Sequence, residues 1–125
     1  MKRIFVVLLL LLIMSCAFWS KSPEAEATVL RWEQEELYIE GYGTLMGLVE
    51  VHYLVENTGE VDIDFYDVFL SVKAVTADMD TNTYTSESAG AFLEVGSLRE
   101  TSTFMDVASN RAVSAEILDI QVRTY

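Results

Sequence analysis

Val49-Glu50-Val51-His52-Tyr53-Leu54-Val55-Glu56-Asn57-Thr58-Gly59 decides the fold class. Val49, Val51, Tyr53 and Val55 fall on one face of an extended chain, and Glu50, His52 and Glu56 fall on the other with Leu48 and Leu54. Successive strand side chains point to opposite faces, so this alternation predicts a strand with one buried side. Asn57-Thr58-Gly59-Glu60 then supplies turn formers. Downstream, Tyr66, Val68, Leu70, Val72 and Ala74 alternate with Asp67, Phe69, Ser71 and Lys73. Ile63 and Phe65 precede that face out of phase, which predicts a bulge or bend near Phe65.

The same punctuation continues in both directions. Residues 76 to 82 read as a turn, 83 to 87 and 91 to 93 as short strands, and 99 to 107 as a Thr-rich strand. A turn at Ser109-Asn110-Arg111 precedes a last strand in which Leu118, Ile120 and Val122 alternate with Asp119, Gln121 and Arg123. Upstream, residues 29 to 36 and 37 to 42 fit edge strands better than a helix, because Thr28, Val29 and Trp32 favour the pleat. About seven short strands in about 100 residues predict an all-β, antiparallel, immunoglobulin-like two-sheet sandwich over residues 28–125. Val51, Tyr53, Val68, Leu70, Ile120 and Val122 are expected to share one core, with the bulky Trp32 buried beside it.

The N-terminus carries a different signal. Lys2 and Arg3 precede an unbroken apolar run from Ile4 to Met14, so residues 1–15 read as a signal peptide, an apolar helix removed before folding. Ile13-Met14-Ser15-Cys16 resembles the lipobox of bacterial lipoproteins. The resemblance implies that Cys16, the single cysteine, becomes the mature N-terminus bearing diacylglycerol and an N-acyl chain. Residues 16–27 are then the lipidated cysteine and a short tether, with Phe18 and Trp19 placed for the headgroup layer. Ala17 supplies no acidic retention signal, so the expected location is the bacterial cell envelope, at the outer membrane where the host has two. Three alternatives stand beside this: cleavage after Ala17, an uncleaved anchor shorter than a comfortable span, and an ordinary buried thiol.

Removing residues 1–15 leaves 110 residues, room for one small domain, with six basic residues against 20 acidic ones, a formal charge of −14. That balance repels phosphate backbones and excludes nucleic acid as a partner class. A partner is expected to be basic, or to be bridged by a divalent cation.

The run from Val49 to Gly59, the strand through Tyr66 to Val72, the acidic hairpin at Asp78 to Asn82 and Leu93-Glu94-Val95-Gly96 together resemble small immunoglobulin-like domains of bacterial lipoproteins. These include the F-x-L-Y-D group and the sandwich of late-embryogenesis-abundant-type proteins. The F-x-L-Y-D motif itself is replaced by Ser71-Val72-Lys73-Ala74-Val75. The resemblance implies an accessory or binding module.

Catalytic sets are missing from the sequence. His52 is the single histidine, the single cysteine sits in the lipobox, and no serine lies in a G-x-S-x-G elbow, so no nucleophile and base pair is expected. Asp78-Met79-Asp80-Thr81-Asn82 has the D-x-D-x-N spacing that opens a calcium loop, making Asp78, Asp80 and Asn82 candidate metal ligands. Thr83 and Ala89 occupy the positions where that loop needs glycine and glutamate. Asp62, Asp64 and Asp67 form a second acidic group, and divalent binding gains if the fold places both groups at one end. Trp32, Tyr38 and Tyr42, with Phe69 and Leu54, are candidates for an exposed aromatic patch. The expected function is a lipid-anchored, noncatalytic binding or assembly module whose partner is another envelope protein. The alternative is a divalent-metal or small-ligand receptor using the acidic turns.

Overall fold

The computed structural model describes residues 22–125; the signal peptide, Cys16 and most of the tether lie outside the described residues. Six strands follow one another: β1 (Ala25–Ile39), β2 (Gly43–Asn57), β3 (Ile63–Val75), β4 (Thr81–Leu93), β5 (Leu98–Met105) and β6 (Arg111–Arg123). They form two antiparallel three-stranded sheets, ordered β1-β2-β5 and β4-β3-β6. The central strands are the two with the clearest alternation. Val49, Val51, Tyr53 and Val55 of β2 and Tyr66, Val68, Leu70, Val72 and Ala74 of β3 are buried against one another, closed by Ile63, Leu93, Met105 and Val107. Ile120, Val122 and Trp32 pack on this core half-buried.

Three expectations change. Among the described residues there are six strands rather than about seven, because β4 runs unbroken over Thr81–Leu93 where two short strands were expected. Strand β1 starts at Ala25, inside the segment read as tether, since Ala25 and Ala27 reach the core as small side chains that leave little sequence signal. Leu118 does not share the face of Ile120. The β3–β6 register shifts between Phe69 and Leu70, and the bulge turns Leu118 outward, 53% exposed.

The phase change expected near Phe65 is present. Ile63 and Tyr66 are both buried while Phe65 faces outward, and opposite them Phe92 turns out with φ 51°. Both strands switch phase at the same level, so the register continues past the irregularity.

Long strands define two ends. At the entry end, the carbonyl of Glu24 accepts from Thr58 N and Gly59 N, both at 3.1 Å. A Cβ on Gly59 would stand 2.7 Å from Glu24 N, so glycine is what lets the incoming chain lie there. Buried Asn57 ties the same end together: its Nδ2 donates to the carbonyls of Val61 and Leu93, and its Oδ1 accepts from Gly59 N. At the far end the β5–β6 connection crosses between sheets. Gln34 holds it, with Nε2 donating to Gly47 O and Asn110 O and Oε1 accepting from Ala112 N.

Candidate functional site

The acidic turn after β3 is a self-contained hairpin. Thr76 N donates to Asp80 O at 2.8 Å, Met79 N to Thr76 O at 3.0 Å and Asp80 N to Thr76 Oγ1 at 3.2 Å, with Met79 at φ 68°. Asp78 and Asp80 are exposed on this turn, and Asn82 already lies in β4, paired with Ala74. The second acidic group is at the other end of the molecule and is engaged by protein groups. Asp62 accepts from Val95 N, Asp64 from Tyr125 N, and Asp67 pairs with Arg123 at 2.9 Å. Asp64 and Asp67 lie in the first half of β3, and the rest of that strand, Val68 to Val75, separates them from the turn by roughly 25 Å at strand rise. The fold therefore does not bring them together, and among the described residues no three His, Cys, Asp or Glu side chains converge on one point.

His52 stands at the middle of the outer face of β2. Its Nε2 lies 2.7 Å from Glu50 Oε1 at an angle outside hydrogen-bond geometry. Arg31 faces it from β1 and Ser102 from β5. Among the described residues no serine, threonine or cysteine is hydrogen-bonded to this Nε2.

The entry end presents a clamp. Arg99 donates to Ala91 O and Phe92 O, both at 2.6 Å, and to the Tyr66 hydroxyl at 3.3 Å, with its guanidinium 6.0 Å from the Tyr66 ring centroid. Five donors in a planar fork suit arginine to this joint between sheets.

The far end holds a cavity of about 610 Å³, open to solvent. It exists because strands differ in length. β2 pairs with β5 from Val49 to Glu56, and β5 ends opposite Val49 at Met105. Residues Gly43 to Met46 pair with β1 alone, and Gly47 and Leu48 fall at a shift of the β1–β2 register, so the β1–β2 hairpin overhangs the sandwich. Thr44 and Met46 of the overhang form one wall, the β3–β4 turn with Val75, Ala77 and Met79 forms the facing wall, and Arg111 closes the back. Glu36 on the hairpin reaches Arg111 at 3.6 Å and bridges the two sheets there.

Of the expected aromatic patch, Tyr38 and Tyr42 are on this hairpin and 72% and 83% exposed, beside exposed Leu37, Leu45 and Leu48. Trp32, Leu54 and Phe69 are half-buried. Met46, Met79 and Arg111 had no signal in the sequence, since the cavity they line depends on where β5 stops. Comparison of the chain with protein-family models, with curated proteins and with solved structures gives no match.

Proposed function

We propose that the mature protein is a lipid-anchored protein of the bacterial envelope whose sandwich is a noncatalytic binding module. The observation that carries this reading is the Lys2-Arg3 basic start, the apolar run and the Ile13 to Cys16 box in unbroken succession. The domain supports it by how it begins. Strand β1 starts nine residues after Cys16, a reach of roughly 30 Å when extended, which holds the entry end close to the bilayer. Anchoring by several acyl chains is stable, because each buried methylene contributes about 0.8 kcal/mol.

The immunoglobulin-like reading of the sandwich is supported by strand order. The order β1-β2-β5 over β4-β3-β6 follows the A-B-E and C′-C-F neighbours of that family's two sheets. Such sandwiches offer surfaces, edges and loops to partners. A formal charge of −14 on the mature chain directs the choice toward basic partners.

The test is intact-mass analysis of protein extracted from membranes. The expected species begins at Cys16 and carries the mass of a diacylglyceryl group and an N-acyl chain. A soluble product beginning at Phe18, or an uncut chain, overturns the anchor.

A further inference from the structure

We infer that the overhanging edge of β2, residues Gly43 to Met46, is a docking site for one extended, basic and apolar segment of a partner protein, added as a strand in line with β5. The inference deepens the proposed binding role, and its geometry does not depend on the lipid.

Three observations converge on this edge. The backbone of Gly43 to Met46 has β1 on one side and no strand on the other, because β5 stops at Met105; Gly47 and Leu48 fall at a register shift, where Gln34 Nε2 holds the Gly47 carbonyl. An unpaired strand edge offers a row of amide and carbonyl groups to any extended chain. Beside that edge lies the 610 Å³ cavity between Thr44 and Met46 on the hairpin and Val75, Ala77 and Met79 on the turn. Alternate side chains of an added strand point to opposite faces. Those on one face therefore enter an apolar slot, while those on the other lie beside exposed Leu45 and Leu48.

Charge decides the occupant. The tip of the hairpin carries exposed Glu40, and the facing turn contributes exposed Asp78 and Asp80, while Glu33 and Glu35 lie on the outer face of the sheet beside Glu50 and Phe104. Arg111, at the back, is paired with Glu36. Both walls thus carry acidic rims around an apolar lining, which suits a strand alternating apolar residues with lysine or arginine. A second copy of this chain would bring its own acidic hairpin, and two mature chains of formal net charge −14 repel. The acidic turn that reads as a metal loop in sequence is here a rim of the slot.

The test uses the mature chain in nonionic detergent and synthetic peptides roughly eight residues long, enough to cover the edge. One alternates valine and lysine, a second alternates valine and glutamate, and a third is the valine-lysine peptide with a central proline that cannot complete the ladder. The valine-lysine peptide is expected to bind saturably below about 1 mM and to slow amide exchange at Gly43 to Met46. Asp78→Asn with Asp80→Asn is expected to weaken it by about tenfold with an unchanged melting temperature. Equal binding of the proline peptide would reduce the effect to net charge and overturn the inference. So would absence of binding, protection confined to another edge, or a peptide-free dimer that protects the same amides. Failure here leaves the acyl mass on Cys16 untouched, and an unacylated chain that still binds the peptide would overturn only the anchor.

Discussion

Tyr53 carries a polar group into the centre of the core. Its ring is 1% exposed and its hydroxyl donates to Ser88 Oγ at 2.6 Å. Burial pushes the phenol above its usual value, the Ser88 bond pulls it back in part, and Tyr66 adds to the rise. A raised folded-state value means that the native protein holds its proton where the unfolded chain has lost it. This contribution is therefore complete below about pH 10 and is lost as pH climbs beyond that toward the folded value. Urea melts from about pH 8 to about pH 11 should show stability falling at the alkaline end. In Tyr53→Phe that fall should be shallower, with about 1 kcal/mol lost at neutral pH from the missing hydrogen bond. An equally steep fall would assign the alkaline loss to other groups. Gly90 makes a second test at this scale. It pairs with Tyr66 across β3–β4, and a Cβ there would collide with the Tyr66 ring. Gly90→Ala should cost about 1–3 kcal/mol by overpacking, read from the denaturant midpoint.

At the level of the strand, legibility followed burial on one side only. β2 and β3 alternate cleanly because each has one face against the core, and Val51, Tyr53, Val68 and Leu70 were readable for that reason. β6 was half readable. Its bulges add a residue opposite β3, so Leu118 keeps the sequence phase of Ile120 and yet faces solvent. β4 has the small and polar run Thr81 to Ser88, which lies at a sheet edge and has little apolar alternation to read. Leu70→Ala should cost about 2–5 kcal/mol, as expected for a fully buried leucine. Leu118→Ala should stay within about 0.5 kcal/mol. Similar midpoints for the two variants would contradict the β6 bulge. The acidic pair Asp78 and Asp80 was legible as a turn but not as part of a slot. The slot arises from the mismatch between an eight-residue β5 and a 15-residue β2, and such a mismatch has no local sequence signature.

Across the whole molecule, stability is expected to be uneven. The centre of β2 and β3 is paired on both sides and buried, whereas the overhang is paired on one side and carries exposed Leu37, Tyr38 and Tyr42. In the free protein, amides of Val51 to Val55 should exchange only through global unfolding, and those of Gly43 to Met46 through local opening at far lower free energy. Equal protection along all of β2 would mean that the overhang is covered in solution. Asn57 is the corresponding weak point at the entry end. Asn57→Ala would leave the buried carbonyl of Leu93 without its donor and should cost about 1–3 kcal/mol, seen as a drop in melting temperature.

The path of the chain also has a mechanical meaning. β1 enters at Ala25 beside the β2–β3 turn and runs without interruption to Ile39 on the overhanging hairpin. A pull between the N-terminal segment and that hairpin is therefore transmitted along the covalent backbone of β1. The packed interior of the sandwich lies beside this line of force rather than in it. Tension along that line can be borne while Tyr53, Leu70 and their neighbours stay packed.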